Sequence, residues 1–208
     1  MIKDLSLERW LEALSAPSTT PGGGSATAMI GAMASALVAM VCGVTVAKNV
    51  AAEVRTSLTV ARERADKLRI RMTALIDEDV AAFNAVMAAY GLPRASAEQQ
   101  AARSSAIQAA LHQATLVPMA CAAAGVVALE LSAIVSEQGH LNAMGESAVA
   151  AEAARTAFRA SALNVSINLG SIRDRAFVDA QRAELERMQR RFVELDARVQ
   201  ELLAKRLG

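Results

Sequence analysis

The chain has 208 residues and a formal charge of +1, with 53% apolar, 21% charged and only 3% aromatic residues, while alanine occupies 47 positions. This composition excludes a disordered chain, and the scarcity of aromatic residues argues against a β-sandwich or β-barrel. Because alanine has the highest helix propensity, we predict an all-α bundle of long antiparallel helices that forms one domain over residues 1–208.

The first half of the chain predicts three helices. The first spans about residues 4–14, and a segment rich in proline and glycine ends it. The second carries no charge, begins after Ser25, which is suited to cap it, and ends near Lys48. The third runs from about 51 to 89 and is stopped by Gly91-Leu92-Pro93.

The second half of the chain predicts three more helical stretches. Ser96 and Gln99 form a capping pattern for a helix over 96–138, which Pro118 should bend or split. Another helix spans about 146–169 and ends at Gly170. From Leu185 onwards, apolar residues recur at heptad spacing, so the last helix should pack on the bundle or on a partner chain.

An uncharged stretch extends from Ala13 to Ala47, and its second half is long enough to span a bilayer. Its apolar residues are mainly alanine and methionine rather than leucine and phenylalanine, so we favour a buried central helix over a membrane span. The balanced charge predicts no nucleic-acid partner. The two cysteines lack metal-ligand spacing, as do the two histidines, and no metal or redox cofactor is expected. The chain opens without an uncharged signal region, which favours a cytoplasmic location.

Three glycines, Gly22, Gly23 and Gly24, immediately precede the uncharged helix. The unpaired N–H groups at a helix N-terminus can hold an anion, and glycine lets a ligand approach the main chain. A flexible loop capped by Ser25 explains the same residues, and no P-loop lysine follows the glycines.

Two further groups of polar residues interrupt apolar patterns. Asp79 is the last of three consecutive acids, which are typical of a solvated surface. If Asp79 instead faces inward with Asn84, its burial would suit it to general acid or base work. Asn164 and Asn168 lie one helical turn apart, so they either bond each other and the backbone or present amide edges to a flat heterocycle.

Several segments form a series in chain order: Pro21 to Ser25, Met40 to Thr45, Asp77 to Asn84, Ala89 to Pro93, Asn164 to Asn168, and Ile172 to Asp174. Together they resemble the cyclodeaminase/cyclohydrolase family of folate enzymes over roughly residues 7–178. The resemblance implies an all-helical homodimer with a folate site near the subunit interface. It also implies chemistry at the one-carbon bridge between N5 and N10 of tetrahydrofolate.

The resemblance implies a methenyltetrahydrofolate cyclohydrolase, which forms 10-formyltetrahydrofolate, ahead of a formiminotetrahydrofolate cyclodeaminase, which releases ammonia. A folate-binding or interaction protein without catalysis is the other alternative. The family likeness suggests that the glycine loop, with Ser25, and Lys48 hold the glutamate carboxylates of folate. Asn164 and Asn168 would then contact the pterin edge or the reacting centre.

One loop departs from the family pattern, which reads close to Gly-Asn-x-Asn-x-x-Ser-Asp. Here it reads Gly139-His140-Leu141-Asn142-Ala143-Met144-Gly145-Glu146. Asn142 is retained as a substrate-binding candidate. Glu146 keeps a carboxylate but moves it outward by about 1.5 Å, enough to lower a rate. His140 could compensate as a proton carrier, so the catalytic candidates are Glu146, Asp79 and His140.

Overall fold

The computed structural model describes residues 1–207, which form six α-helices and two 3-10 turns without a strand. The helices are α1 Leu7–Ser15, α2 Gly23–Val46, α3 Ala52–Tyr90, α4 Ala97–Gln138, α5 Met144–Leu169 and α6 Arg175–Leu207, and the 3-10 turns are Ile2–Asp4 and Leu141–Ala143. The prediction of an all-α fold is confirmed.

Helix α4 lies at the centre of the bundle and packs against α2, α3, α5 and α6. Helix α2 packs between α3 and α5. It runs antiparallel to α5, because Gly31 near its start lies against Ala157, whereas Thr45 near its end accepts a hydrogen bond from the His140 N–H that precedes α5. The N-terminus of α2 therefore lies beside the C-terminal half of α5.

The prediction that Ser25 caps the N-terminus of α2 is wrong. The helix begins at Gly23 with Gly22 as N-cap, so Ser25 lies inside the first turn. The side chain of Ser25 does not cap α2 but donates a hydrogen bond to Asp79 on α3. The capping box of Ser96 and Gln99 at the start of α4 is confirmed.

Of the two predicted effects of Pro118, a bend or a split of its helix, the split is wrong, because α4 continues from Ala97 to Gln138. A proline inside a helix leaves the carbonyl four residues earlier without its backbone donor. That carbonyl belongs to Ala114, and it accepts a hydrogen bond of 3.0 Å from Nδ2 of Asn168 on α5. A side chain of a neighbouring helix thus replaces the missing backbone bond.

The heptad stripe of α6 packs on the chain's own bundle. Phe192, Leu195 and Val199 are buried together with residues of α2, α4 and α5, and the Phe192 ring stacks on Phe158 at 4.4 Å between centroids. Of the two packing alternatives for this stripe, the first is confirmed.

Helices α2 and α5 expose several large apolar side chains, and α5 also exposes Glu152 and Arg159 between Val149 and Leu163. The largest exposed apolar side chains of the two helices, which define the α2/α5 face, are Met33, Met40, Val44, Val149, Leu163 and Ile167, each 41% to 62% exposed. By length and composition, helices α2 and α4 could each cross a membrane. In the most apolar 18-residue stretch of each helix, 44% of α2 and 67% of α4 are buried in the bundle. Along α2 the face extends from Met33 to Val44, and along α5 it extends from Val149 to Ile167.

Candidate active site

A cleft of about 300 Å³ opens where the N-terminus of α2 meets α3, α4 and the C-terminal half of α5. Its lining combines main chain, amides, one carboxylate and apolar side chains: Thr19, Thr20, Gly22, Gly23, Gly24, Asp79, Ala82, Phe83, Val86, Leu111, Ala114, Pro118, Asn164 and Asn168. Of the residues that the sequence predicts for the site, the glycine loop, Asp79 and both asparagines therefore lie together.

Asp79 is held at the N-terminus of α2 by Ser25. The Ser25 hydroxyl donates to Oδ2 of Asp79 at 2.7 Å, and the Ser25 backbone N–H also bonds this carboxylate. The field of the helix N-terminus favours a negative charge at this position. The chain's own carboxylate thus occupies the helix end that the sequence offered as an anion site.

Burial raises the pKa of the Asp79 carboxyl above its ordinary value, and the hydrogen bonds from Ser25 oppose only part of that rise. A carboxyl group with a pKa displaced toward neutrality can accept a proton from water and return it within one reaction. Asp79 therefore has the environment that a general base requires.

The other two acids of the triplet do not line the cleft. Asp77 accepts a hydrogen bond from the Lys3 backbone N–H at 3.2 Å, and Glu78 pairs with Arg71. Asn84 is exposed and does not accompany Asp79. The helical turn thus selects one acid of the three for the cleft.

Gly24 is required by the position of Asp79. A Cβ at Gly24 would overlap the Asp79 carboxylate, whereas a Cβ at Gly23 would meet nothing within 4 Å. Gly24 therefore permits the close approach of the Asp79 carboxylate to α2, whereas Gly23 is not needed for that approach.

The two asparagines differ in what they can offer a ligand. Asn168 uses Nδ2 for the Ala114 carbonyl, which leaves its Oδ1 as an acceptor. Asn164 lines the same cleft, and no hydrogen bond to another residue of 1–207 occupies its amide. Asn164 is thus free to donate and accept toward a ligand, while Asn168 also supports α4.

Sequence reasoning missed the apolar wall of the cleft, formed by Phe83, Val86, Leu111 and Pro118. These residues lie on α3 and α4 at spacings that core residues also have, so the pattern carried no signal of a cleft. The wall gives the cleft an apolar part beside the amides of the asparagines.

Four predicted site residues lie at the other end of α2. Lys48 follows this helix directly, and the loop with His140, Asn142 and Glu146 is bonded to Thr45 near the helix end through the His140 N–H at 2.8 Å. Since a helix rises 1.5 Å per residue, Thr45 lies about 32 Å from Gly24. Within one chain, these residues do not meet the cleft.

The fold and the cleft define a class of protein: an all-helical bundle that holds one carboxylate of raised pKa between amides and an apolar wall. The chain belongs to the formiminotransferase-cyclodeaminase family, whose model matches residues 6–187. The family resemblance that the sequence motifs indicated is thereby confirmed.

The relatives are enzymes of two kinds. A methenyltetrahydrofolate cyclohydrolase from Methylorubrum extorquens is 40% identical over 98% of both chains. A formimidoyltransferase-cyclodeaminase from Rattus norvegicus is 29% identical over 86% of this chain and 33% of its own length. The crystal structure of formiminotetrahydrofolate cyclodeaminase from Thermotoga maritima covers the whole chain with a TM-score of 0.89 and 27% identity.

Proposed function

We propose that this protein is a methenyltetrahydrofolate cyclohydrolase that hydrolyses 5,10-methenyltetrahydrofolate to 10-formyltetrahydrofolate. The observation that carries the proposal is the Asp79 carboxyl, held by Ser25 in a cleft that also contains two amides and an apolar wall. The likeness to the Methylorubrum cyclohydrolase over nearly the full length of both chains favours this reaction over its alternative.

In the proposed reaction, Asp79 removes a proton from water while the water oxygen attacks the electrophilic methenyl carbon. The tetrahedral product collapses when its bond to N5 breaks. Asp79 returns its proton to N5, the hydroxyl proton passes to solvent, and the formyl group stays on N10. The apolar wall with Phe83 and Leu111 packs against the ring, and Asn164 bonds its polar edge.

Cyclodeamination is the second candidate, favoured by the likeness to the Thermotoga cyclodeaminase. N10 would attack the formimino carbon, and ammonia would leave from a similar tetrahedral intermediate. One carboxyl group can move the proton in either reaction, so the cleft alone does not distinguish the two substrates.

The proposal includes a folate substrate, a cytoplasmic location and a homodimer. The exposed apolar α2/α5 face supports the homodimer, because exposed apolar patches of this kind mark protein interfaces. A soluble monomer would leave Leu163 and Ile167, 62% and 60% exposed, in water beside the cleft.

The test is an absorbance assay with the purified protein that follows loss of the methenyltetrahydrofolate chromophore, corrected for the rate without enzyme. A parallel assay follows appearance of the chromophore from formiminotetrahydrofolate. Loss above background establishes the hydrolase, and appearance establishes the cyclodeaminase. If neither assay shows an absorbance change above background while folate still binds, the result would contradict an enzymatic role and indicate a binding protein.

The role of Asp79 is tested with matched neighbours. We expect D79N to lose about 10²-fold to 10⁴-fold in kcat, because removal of a general base costs that much. D77N is the control, since Asp77 bonds Lys3 outside the cleft and should keep wild-type kcat. Equal activity of D79N and D77N would refute Asp79 as the base.

A further inference from the structure

We propose that Pro118 fixes the polarity of the cleft toward its ligand. By freeing the Ala114 carbonyl, Pro118 holds the Asn168 amide with Oδ1 toward the ligand, so this position binds a hydrogen-bond donor, the 2-amino group or N3–H of the pterin ring. Asn168 contacts the substrate, whereas Pro118 acts through Asn168 as a positioning residue. The identity of the ligand rests on the proposed function.

The first step concerns the carbonyl that Pro118 leaves free. Pro118 lies inside α4, and a proline has no N–H to donate to the carbonyl four residues earlier. That carbonyl belongs to Ala114, and both residues line the cleft. Because a partly buried carbonyl without a donor lowers stability, a group from outside α4 has to satisfy it.

The second step concerns the orientation of the Asn168 amide. Its Nδ2 donates to the Ala114 carbonyl at 3.0 Å across the contact between α4 and α5. A free asparagine can turn its amide by half a rotation and present either end, but a carbonyl accepts hydrogen bonds and never donates them. The Ala114 carbonyl therefore selects the Nδ2 end of Asn168 and leaves Oδ1 for another partner.

The third step places Oδ1 of Asn168 at the cleft. Asn168 lines the cleft, and no hydrogen-bond donor among residues 1–207 reaches its Oδ1. In this part of the chain, Oδ1 is also not one of the buried polar atoms that lack a partner, so the atom is accessible to solvent. A group that binds against this atom must donate a hydrogen, because Oδ1 only accepts.

Asn164 differs from Asn168 in this respect. It lies one turn earlier on α5 and lines the same cleft, but no hydrogen bond to another residue of 1–207 holds its amide. Since the amide can present Nδ2 or Oδ1, it adapts to the group that a ligand offers. The cleft thus combines one adaptable amide with one acceptor of fixed position.

The pterin ring of a folate matches this combination. Its pyrimidine edge carries two adjacent donors, N3–H and the 2-amino group, beside the O4 acceptor. The donors meet Oδ1 of Asn168, and O4 accepts from Nδ2 of Asn164. A ring turned over would bring O4 against Oδ1, and two acceptors in contact would each lose a hydrogen bond. The polarity that Pro118 fixes thus selects one orientation of the ring relative to Asp79.

The coupling of Pro118 to Asn168 is tested by thermal melts of N168D in two backgrounds, wild type and P118A. At pH 8, where an aspartate is ionised, N168D should lower the wild-type Tm by roughly 2–10 °C, because two acceptors then face each other. P118A restores the N–H that the Ala114 carbonyl lacks, so N168D should lower Tm by less than half as much in that background.

The matched control for these melts is N164D, which adds the same charge one turn away without facing the Ala114 carbonyl. Its effect on Tm should be equal in both backgrounds. P118V also restores the N–H, with a larger side chain, and repeats the comparison independently of the volume that P118A removes. An equal loss of Tm from N168D in all three backgrounds would overturn the proposal.

The polarity of the ligand contact is tested by calorimetry with 5-formyltetrahydrofolate, which carries the same pyrimidine edge and needs no turnover. P118A should raise Kd about 3-fold to 10-fold, because the Asn168 amide must then be ordered when the ligand binds. P118A/N168D should regain at least the affinity that P118A loses, because a carboxylate presents an acceptor at either end.

The control for the added charge is P118A/N164D, which should weaken binding further, since a carboxylate cannot donate to O4. Weaker binding by P118A/N168D than by P118A would show that an acceptor of the ligand lies at Asn168, and it would overturn the proposal. An unchanged Kd in both P118A and P118A/N168D would overturn it as well, because Asn168 would then not contact the ring.

Failure of the proposed function gives a different result. A wild-type protein that binds 5-formyltetrahydrofolate but turns over neither folate substrate refutes the enzyme, and the four Kd values still decide the inference. A wild-type protein that binds no folate refutes both, although the thermal melts would still show whether Pro118 fixes Asn168.

Discussion

At Gly24 the structure needs a residue without a side chain, because a Cβ there would overlap the Asp79 carboxylate. We expect G24A to fold normally but to displace that carboxylate and lower kcat by about 10²-fold, the cost of a misplacement of roughly 1 Å. G23A is the matched control and should retain wild-type kcat, since its Cβ enters open space. Steady-state kinetics of the two variants would contradict this account if both lost activity equally.

Asp79 also makes the stability of the protein depend on pH. Burial raises the pKa of its carboxyl in the native state above the ordinary 3.8, so the native state holds this proton more tightly than the unfolded chain. The free energy of unfolding therefore falls as pH rises from 3.8 through the native pKa, and the loss is complete above it.

We expect D79N to remove this loss and to raise Tm above the wild-type value at pH 7. The gain should shrink as pH falls through the native pKa toward 3.8, and it should vanish below 3.8, where Asp79 is protonated in both states. Thermal melts of both proteins over this pH range give the measurement, with D77N as control for a carboxylate outside the cleft. A lower Tm for D79N at every pH would show that the charge stabilises the fold.

At the scale of helices, the contact between α4 and α5 depends on Gly125. A Cβ at this position would lie 2.8 Å from the backbone nitrogen of Phe158, and backbone atoms cannot move aside as a side chain can. We expect G125A to separate the two helices and to lower the free energy of unfolding by about 1–3 kcal/mol in urea titrations.

The control for G125A is G145A, because a Cβ at Gly145 of α5 meets nothing within 4 Å. This variant should keep wild-type stability or gain a few tenths of a kcal/mol from the higher helix propensity of alanine. A loss in G145A equal to that in G125A would mean that the close approach of α4 and α5 is not the cause.

Pro118 shows where reasoning about a single helix fails. The proline predicts a bend or a break in α4, but the Asn168 amide on α5 donates to the freed Ala114 carbonyl and the helix does not break. The donor comes from 54 residues further along the chain. The residues around Pro118 do not reveal a hydrogen bond that comes from another helix.

At the scale of the whole molecule, the α2/α5 face should determine the oligomeric state. We expect L163E to convert the proposed dimer to a monomer, since Leu163 is 62% exposed in the single chain and the substitution adds a charge to the face without disturbing the core. Light scattering after size exclusion measures the mass. I70E is the control, because Ile70 is equally exposed but lies between Arg69 and Arg71 on α3.

A dimeric L163E would show that the subunits use another surface, and a monomeric wild-type protein with full activity would overturn the homodimer itself. Far-UV circular dichroism of L163E should match the wild type. That match separates loss of the dimer from loss of the fold.

The sequence by itself determined the helical class, most helix limits and the family, because alanine content, caps and local motifs act within a few turns of chain. It also singled out Asp79, Asn164 and Asn168 as polar residues among apolar ones. Tertiary structure alone decided which acid of the triplet faces the cleft, that Ser25 binds Asp79 rather than capping α2, and that Asn168 supports α4.

Tertiary structure also separated Lys48 and the loop from His140 to Glu146 from the cleft, although the sequence placed them in one site. The physical reason is that α2 is a rigid rod of 24 residues, about 36 Å long, with the two groups at its opposite ends. Sequence motifs indicate which residues a family shares, but they do not give the distance between residues at the two ends of a helix. That distance is set by the length of α2, and the antiparallel packing of α5 on α2 places the loop from His140 to Glu146 at the far end.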